Sequence, residues 1–350
     1  MIAMLQIQLL DCTLRDGGFC NDWRFGKAHL EGIFQGLAQS GVDVIEVGFL
    51  DARYPFDNDR SITPDTEGIK KIYGSLERGP ATVVGMIDYG TCPLKGIASR
   101  EHSPLDGIRV IFKKPQRMEA LQFCAALKAL GYLVFVQPVS VTDYSDEELY
   151  DLALHVNDLS PHAVSVVDTY GLLHEEELMH YFDIWHRTLD VHISLGYHAH
   201  NNLSLAYSNC ISVLKKAASL HSSRTLILDA SLAGMGKSAG NAPLELLALY
   251  LNRYEKKNYD IGTILSLIDR HIAPFYTVPS WGYSTFYFLA AATECHPNYV
   301  AYLKEHHFDS AAIYRLLRRI PKEKRLAFDR AYIEALYGKK RKENYETLPL

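Results

Sequence analysis

The chain has 350 residues, of which 48% are hydrophobic and 22% are charged. This balance is typical of a globular protein with a large core, and the length suits one large domain with an appendage or two ordinary domains. The formal net charge of −5 argues against nucleic-acid binding, which depends on basic surfaces. The basic run at 339–342 precedes acidic and apolar residues, and we interpret it as a solvated tail.

The cysteine pattern and the apolar runs indicate where the protein resides. The six cysteines lie apart and form no C-x-x-C pair, so neither a zinc ribbon nor a disulfide framework is predicted. The apolar N-terminus is short and lacks a basic leader, and no apolar run approaches the roughly twenty residues of a membrane span. We therefore expect a cytoplasmic protein that does not contact membranes.

Short apolar runs alternate with amphipathic segments eight times before residue 241. Such runs are typical of parallel strands covered on both faces. They span residues 7–14, 42–50, 82–87, 107–112, 133–139, 163–167, 192–196 and 225–229. Eight strand-helix units in about 250 residues predict an α/β fold, the (β/α)8 TIM barrel. The competing fold is a doubly wound open sheet, which usually has fewer units and an early nucleotide-binding motif.

The segments between the runs keep helical spacing, and Ser145 with Glu148 forms a capping box at the start of one of them. After residue 252 the pattern becomes wholly helical, with prolines between the segments. We therefore predict a TIM-barrel catalytic domain at 1–252 and a helical C-terminal region at 253–350.

The first predicted strand, 7–14, delivers Arg15 and Asp16 into a turn opened by two glycines. A charged pair is costly to bury, so this placement suits chemistry better than structure. The seventh strand leads to His198 and His200, which are two residues apart and therefore share a face. In a closed barrel the eighth strand lies between the first and the seventh. We therefore expect Asp16 and both histidines to converge at the C-terminal rim as a divalent-metal site with open positions.

The glycine-rich segment 229–241 follows the eighth strand and partly matches two other motifs. Gly236, Lys237 and Ser238 are similar to the end of a P-loop, but Ser231 stands where that motif needs its first glycine. Residues 236–240 also fit the hydrolase G-x-S-x-G elbow loosely. The glycines favour an open backbone loop that lines a ligand. The substrate-contacting glycines that we predict are Gly17, Gly234 and Gly236.

Residues 198–205 and 234–245 together resemble the signature segments of the DRE-TIM metallolyases, and the 4-hydroxy-2-oxovalerate aldolase branch is the most similar. The resemblance covers roughly the first 250 residues and a helical extension of similar character. It implies that Asp16, His198 and His200 bind Mn²⁺ or Mg²⁺. Asn241 matches an asparagine that supplies a further metal ligand in the synthase branch.

The resemblance also implies roles for residues that contact the substrate. Arg15 would bind the 2-oxo group and stabilise an enolate, and Glu46 would support this arginine. A dication and a guanidinium suit the negative charge of an enolate, and lysine could not reproduce the fork of donors that arginine offers. Tyr283 would reach the substrate from the C-terminal region.

One position departs from the aldolase pattern. Phe19 stands where the aldolases carry a histidine that resembles a general base, and a phenylalanine cannot move a proton. We favour Asp168, which ends the sixth strand, as the catalytic replacement. The alternatives near other strand ends are Asp22, Asp51, Arg53, Asp88 and Gln137.

These features predict a carbon–carbon lyase that acts through the enolate of a pyruvate-type 2-oxo acid and combines it with, or releases it from, an aldehyde. One alternative is a Claisen-type condensation of an acyl-CoA with a 2-oxo acid. The other is a metal-binding barrel that has lost catalysis and serves as a binding module. For the C-terminal region, the resemblance implies a homodimer and contact with a dehydrogenase.

Overall fold

The computed structural model describes residues 5–277 and 281–341, without the side chains of 277 and 337–341, so the basic run at 339–342 lies outside the described side chains. Its sheet consists of nine strands, all parallel to their neighbours. They are β1 (Ile7–Asp11), β2 (Val44–Leu50), β3 (Ile62–Thr63), β4 (Thr82–Asp88), β5 (Gly107–Phe112), β6 (Leu133–Pro138), β7 (Ala163–Asp168), β8 (Ser194–Ala199) and β9 (Leu226–Ala230).

The sheet closes on itself, because β1 pairs with β9 on one side and with β2 on the other. Strand β3 pairs only with β2 and lies outside the ring, so eight strands form the barrel. The predicted (β/α)8 TIM barrel is confirmed, and the open sheet is excluded. The closure brings the carboxyl ends of β1, β8 and β9 side by side.

Seven helices connect successive barrel strands or follow the last one, in the pattern of a right-handed barrel. They are α2 (Lys27–Ser40), α3 (Thr66–Tyr73), α4 (Arg117–Ala129), α5 (Asp146–Leu159), α6 (Glu175–Thr188), α7 (Ala206–Ser219) and α8 (Leu244–Tyr254). The connection from β4 to β5 departs from this pattern, since it holds only the short 3₁₀ helices Leu94–Gly96 and Arg100–His102.

Local sequence explains how these elements form. Every residue of β2 is buried, as expected for a strand that faces the barrel interior on one side and helices on the other. Helix α5 begins with the predicted capping box, in which the Ser145 hydroxyl and the Glu148 carboxylate accept each other's backbone N–H. Its buried stripe, Leu149, Leu152, Ala153 and Val156, packs onto the barrel core.

The prediction that the first strand reaches residue 14 is wrong, because β1 ends at Asp11 and a helical turn, α1 (Thr13–Asp16), follows. The Asp11 carboxylate causes the change of direction. Its oxygens accept the Thr13 backbone N–H at 2.9 Å and the Thr13 hydroxyl at 2.8 Å, which satisfies donors at the start of the turn. Arg15 and Asp16 therefore lie on a helical turn over the barrel end.

The two glycines after Asp16 belong to a 3₁₀ helix, Gly17–Cys20. Gly18 is needed for close approach, because a Cβ there would lie 2.0 Å from a ring carbon of Trp23. The Trp23 indole N–H in turn donates to the Arg15 carbonyl at 2.9 Å. This packing fixes the backbone of the turn that carries Arg15.

The chain divides into two compact units, Met1–Gly282 and Tyr283–Leu350. In the first, α9 (Ile261–Leu267) packs against α2 so closely that a Cβ on Gly36 would lie 2.3 Å from a Leu267 methyl carbon. The second contains α10 (Thr285–Ala292), α11 (Pro297–Glu305), α12 (Ser310–Leu317), α13 (Lys322–Arg325) and α14 (Arg330–Arg341). The predicted domain boundary at residue 252 stays a prediction. Across the described ranges, we find no helix with the length and apolar character to cross a membrane.

Candidate metal centre and active site

Asp16, His198 and His200 come together at the C-terminal end of the barrel. One ligand atom from each lies within 4.8 Å of the others, and all three residues are buried. Asp16 arrives on α1, His198 on β8, and His200 just after β8, where it forms an isolated bridge with Asn241. The convergence expected from barrel closure is therefore present.

His198 is held by a carboxylate on the neighbouring strand. Its Nδ1 lies 3.0 Å from Oδ2 of Asp229, which is on β9. Such a contact fixes the tautomer and ring orientation of a histidine and leaves Nε2 available to a metal. Burial alone would raise the pKa of Asp229, but the adjacent Arg109 and His198 hold it below its ordinary value. Asp229 is therefore suited to remain an anion that orients His198.

His200 and Asn241 present polar atoms that lack a protein partner. His200 Nδ1 lies 4.0 Å from Asp16 Oδ2, which is too long for a hydrogen bond, and it is buried without a partner. Burial lowers the pKa of His200 to about 3 despite the nearby Asp16 carboxylate. The imidazole is therefore neutral, as a metal ligand must be. Asn241 Oδ1 is also buried without a hydrogen-bond donor.

The Asp16 carboxylate lies between the imidazoles and a set of donors. Asn241 Nδ2 donates to Asp16 Oδ2 at 2.9 Å, the Lys237 backbone N–H donates to the same oxygen at 3.1 Å, and Arg15 pairs with Oδ1. Burial would raise the pKa of Asp16, but Arg15 and the two histidines hold it well below its ordinary value. Asp16 is thus an anion, the form in which a carboxylate binds a metal.

The approach of the 231–243 loop to this carboxylate requires a glycine. A Cβ at Gly236 would lie 2.3 Å from Asn241 Nδ2 and 2.6 Å from Asp16 Oδ2. Any side chain at position 236 would therefore displace one of these two groups. Gly236 lies at the site, as predicted for a backbone loop lining a ligand.

Arg15 belongs to a buried chain of alternating charges. Its Nε donates to Glu46 Oε2 at 2.8 Å, as the resemblance implied. The same Glu46 oxygen lies 3.1 Å from a guanidinium nitrogen of Arg109, which also pairs with Asp229. A continuous network thus connects the guanidinium beside Asp16 to the carboxylate that orients His198.

Arg109 and Asp229 are residues of the candidate site that sequence reasoning missed. Each is a charged residue inside an apolar run, on β5 and β9 respectively, and each is almost fully buried. Because a buried charge requires a partner, this pattern was the available signal. The sequence does not show that the two charges lie on strands whose side chains meet inside the barrel.

The residues present fit a divalent cation. Three buried carboxylates, those of Asp16, Glu46 and Asp229, are paired with the two guanidiniums of Arg15 and Arg109. Within this ion-paired network the carboxylates outnumber the guanidiniums by one, which favours a cation. The unpartnered His200 nitrogen and Asn241 oxygen offer the neutral ligands that complete such a site.

Phe19 packs into an aromatic cluster at the rim. Its ring lies 4.8 Å from the Trp23 ring and 6.2 Å from Phe49, both in edge-to-face geometry, and it is 43% exposed. The Lys237 ammonium lies 5.3 Å from its ring centroid. Position 19 therefore supplies an aromatic surface beside the metal centre.

Asp168, the favoured replacement base, is buried at the end of β7. Its oxygens accept the backbone N–H groups of Leu172 at 2.9 Å and Leu173 at 3.1 Å, so it also holds the loop that follows. Burial raises the pKa of Asp168 to about 6, although these hydrogen bonds and His198 lower it. Its catalytic role stays a prediction.

The alternative proton carriers occupy different environments. Asp22 pairs with Arg60 at 3.0 Å, and Asp51 is tied to Arg53. Gln137 lies inside the barrel and bonds to Arg109 and Ser165. Asp88 is half-buried at the end of β4, and burial raises the pKa of its carboxyl.

The remaining predicted contacts lie in different parts of the chain. Gly17 is buried, and a Cβ built on it would lie 3.1 Å from a side-chain carbon of Met235. The Gly234 carbonyl accepts the Asn241 N–H at 3.0 Å. Both therefore adjoin the loop that carries Gly236. Tyr283 is 65% exposed and belongs to the second compact unit. Its contact with substrate stays a prediction.

A family model supports the interpretation of this geometry. The model described as HMGL-like matches residues 113–269, which include both histidines, Asp229 and Asn241. The chain carries an HMGL-like domain. The resemblance to the DRE-TIM metallolyases is thereby confirmed.

Relatives of this chain are named as aldolases. The 4-hydroxy-2-oxovalerate aldolase of Geobacillus genomosp. 3 is 26% identical over 276 residues, which cover 78% of this chain and 79% of the relative. The enzyme of the same name from Roseiflexus castenholzii is 28% identical over 283 residues, which cover 76% and 77% of the two chains.

Solved structures share the barrel. The N-terminal domain of a candidate aldolase from Bacteroides vulgatus superposes with a TM-score of 0.73 at 21% identity and covers 88% of this chain and 99% of its own. Hydroxymethylglutaryl-CoA lyase from Pseudomonas aeruginosa gives a TM-score of 0.63 at 17% identity, with coverage of 80% and 96%. At these identities the structural likeness establishes the fold.

Proposed function

We propose that this protein is a divalent-metal-dependent carbon–carbon lyase of the aldolase type. It forms the enolate of a pyruvate-type 2-oxo acid by cleaving a bond to an aldehyde, or adds that enolate to an aldehyde. The relatives named 4-hydroxy-2-oxovalerate aldolase support this reaction class. The observation that carries it is the buried cluster of Asp16, His198 and His200 with the Arg15 guanidinium paired to Asp16.

Asp16, His198 and His200 would hold Mn²⁺ or Mg²⁺, with Asn241 as a further ligand. When bound, the cation supplies a Lewis acid for the oxygens of the 2-oxo acid. Asp229 keeps His198 oriented, and burial keeps His200 neutral. Asp16 is thus an anion and His200 a neutral imidazole, the forms in which these two side chains bind a metal.

Arg15 stabilises the enolate oxygen by charge and hydrogen bonding. Burial would lower the pKa of Arg15, but Glu46 and Asp16 raise it, so the guanidinium remains charged throughout. Glu46 fixes the direction of the side chain, and the Trp23 contact to the Arg15 carbonyl holds its backbone. A preorganised donor of this kind stabilises developing negative charge without reorganisation during the reaction.

Asp168 is the proposed proton carrier for the hydroxyl group of the aldol. A base works best when its pKa lies near the working pH, and the pKa of about 6 for the Asp168 carboxyl meets that condition. The carboxylate would use a lone pair that its hydrogen bonds to Leu172 and Leu173 leave available.

Exchange of the pyruvate methyl protons in D₂O tests the proposed function. With Mn²⁺ or Mg²⁺ added, the protein should catalyse the exchange seen by ¹H NMR, and excess chelator should stop it. Arg15→Lys should retain metal binding and lose at least about a hundredfold in exchange rate, since oxyanion donors contribute that much. A metal-loaded wild-type protein that exchanges no methyl protons would instead favour the binding module.

The homodimer and the contact with a dehydrogenase are also proposals, and they rest on the resemblance alone. Light scattering coupled to size-exclusion chromatography tests the first of them. A mass of twice 39.5 kDa supports the dimer, and a mass of 39.5 kDa rejects it.

A further inference from the structure

Lys237 is a charged residue that the proposed chemistry does not use. Its backbone N–H donates to Asp16 Oδ2 at 3.1 Å, so the side chain starts directly beside the metal centre. It is half-buried, and its ammonium nitrogen lies 5.3 Å from the centroid of the Phe19 ring. No carboxylate in the described part of the chain lies within ion-pair distance of that nitrogen.

An ammonium without an anionic partner is costly to bury, and its contact with Phe19 offsets only part of that cost. The ring is itself fixed by edge-to-face contacts with Trp23 and Phe49. Because Trp23 also donates to the Arg15 carbonyl, the position of the ammonium is tied to the turn that carries Arg15 and Asp16. These contacts hold the Lys237 ammonium at a fixed position on the rim, beside the candidate metal centre.

The surroundings of Lys237 carry an excess of positive charge. Asp88 at the end of β4 and Lys113 just after β5 are both close enough to interact with it electrostatically. Lys113 is exposed and makes no ion pair with any of the described side chains. Arg53 also interacts with Asp88, but its charge is already matched by Asp51. Asp16 also attracts the Lys237 ammonium, but Arg15 matches the charge of that carboxylate. Two lysines therefore share the remaining carboxylate, which leaves a net charge of +1.

We propose that Lys237, supported by Phe19 and Lys113, binds an anionic group on the aldehyde half of the substrate. This inference rests on the proposed function and names the class of aldehyde, one that carries a carboxylate or a phosphate away from its carbonyl group. Arg15 and the metal ligands are committed to the 2-oxo acid. The exposed rim at Phe19, where Lys237 lies, is left for the second reactant.

Paired aldehydes test the subsite. The metal-loaded full-length protein is assayed for aldol addition of pyruvate to succinic semialdehyde against butanal, and to glyceraldehyde 3-phosphate against glyceraldehyde. We expect KM for the anionic member of one pair to be at least about tenfold lower, the equivalent of about 1.4 kcal/mol for a charged contact. The preferred pair distinguishes carboxylate from phosphate.

Three variants assign the preference to Lys237. Lys237→Gln should raise KM for the anionic aldehyde about tenfold with little change for its neutral partner, and Lys237→Arg should restore most of the preference. Lys215→Gln removes the same charge from the exposed face of α7 and should behave as wild type. Circular dichroism of each variant verifies folding. Equal KM values within both pairs, or an unchanged preference in Lys237→Gln, overturns the inference.

Failure of the subsite and failure of the proposed function are separable. Pyruvate methyl exchange needs no aldehyde, so exchange without an anionic preference rejects the subsite alone. If exchange is absent, calorimetric titration of the metal-loaded protein with succinic semialdehyde decides whether the subsite exists. Binding that weakens in Lys237→Gln supports the subsite, and binding that is absent or equal in both proteins rejects it.

Discussion

At the scale of single residues, the buried charges are connected more extensively than the ligand set suggests. Arg109 lies between Glu46, which supports Arg15, and Asp229, which orients His198. Removing one partner of a buried ion pair leaves an uncompensated charge, which is costly. The network therefore couples Arg15, the proposed enolate-stabilising residue, to the candidate metal centre.

Asp229→Asn tests the positioning role of the carboxylate. The amide keeps an oxygen near His198 but lacks the charge that fixes its tautomer, so Mn²⁺ affinity should fall by about 10- to 100-fold. Isothermal titration calorimetry measures it. Lys216→Gln, which breaks a half-buried pair with Asp183 at 2.8 Å on the outer helices, is the control and should bind Mn²⁺ as wild type does. Unchanged affinity in Asp229→Asn would show that His198 needs no such partner.

Asp168→Asn and Asp88→Asn separate two proton carriers. In each, the acid–base group is removed while one oxygen acceptor remains, so Asp168→Asn keeps an acceptor for one of the N–H groups of Leu172 and Leu173. We expect Asp168→Asn to lower kcat for aldol cleavage about a hundredfold or more, as loss of a general base does. Asp88→Asn should change kcat by less than about threefold. The opposite ranking in a steady-state assay would assign the role to Asp88.

Asp11 predicts a specific dependence of stability on pH. Burial raises the pKa of its carboxyl from 3.8 to about 7, although Thr13 lowers it. The folded state therefore keeps a proton that the unfolded chain loses between pH 4 and 7, and this stabilisation is lost as pH rises. Asp11→Asn stays neutral, so its free energy of unfolding relative to wild type should increase from pH 4.5 to 7.5.

Urea denaturation at several pH values measures this difference. Two pH profiles that run parallel would mean that Asp11 titrates alike in the folded and unfolded states. Both contacts between Thr13 and the Asp11 carboxylate join residues that are two apart in the sequence.

The sequence and the resemblance together predicted the residues of the centre and the support that Glu46 gives Arg15, but not Arg109 or Asp229. Asp16, His198 and His200 could be placed together because strand order in a closed barrel is fixed. Arg109 and Asp229 could not be paired, because 120 residues separate them and only the register of the barrel brings their side chains together. The contact between Phe19 and Lys237 likewise joins loops that are distant in sequence.

At the scale of elements, the active-site turn and the glycine-rich loop fit against each other. The predicted strand at 7–14 is wrong at its last residues, because apolar content does not reveal that the Asp11 side chain bonds to the first residue of a helical turn. The runs themselves were found because barrel strands are apolar on both faces. The missing helix between β4 and β5 could not be foreseen, since 3₁₀ segments carry no extended periodicity.

Gly236→Ala tests the fit of the loop. The new Cβ would meet Asn241 and Asp16 at 2.3 and 2.6 Å, so one of the two must move. We expect Mn²⁺ affinity to fall at least about tenfold, since small displacements of ligands and their supports cost that much. Gly96→Ala is the control, because its Cβ would have no neighbour closer than 3.5 Å. Equal affinity in calorimetry for both variants would contradict the proposed contact.

At the scale of the whole molecule, closure of the barrel brings the residues of the candidate site together. Strands β1 and β8 are far apart in sequence, yet both lie beside β9, and this brings Asp16 to the two histidines. The fold class followed from counting apolar runs. The role of the second compact unit could not be derived in this way, because a helical pattern specifies packing and not a partner.

The metal content of the protein decides whether Asp16, His198 and His200 form a metal site. Wild-type protein, loaded with Mn²⁺ and desalted, should retain about one ion per chain by elemental analysis, and Asp16→Ala, His198→Ala and His200→Ala should each retain far less. Arg15→Lys should retain as much as wild type, because Arg15 pairs with Asp16 without being a ligand. Equal manganese content in wild type and all three ligand variants would contradict the account.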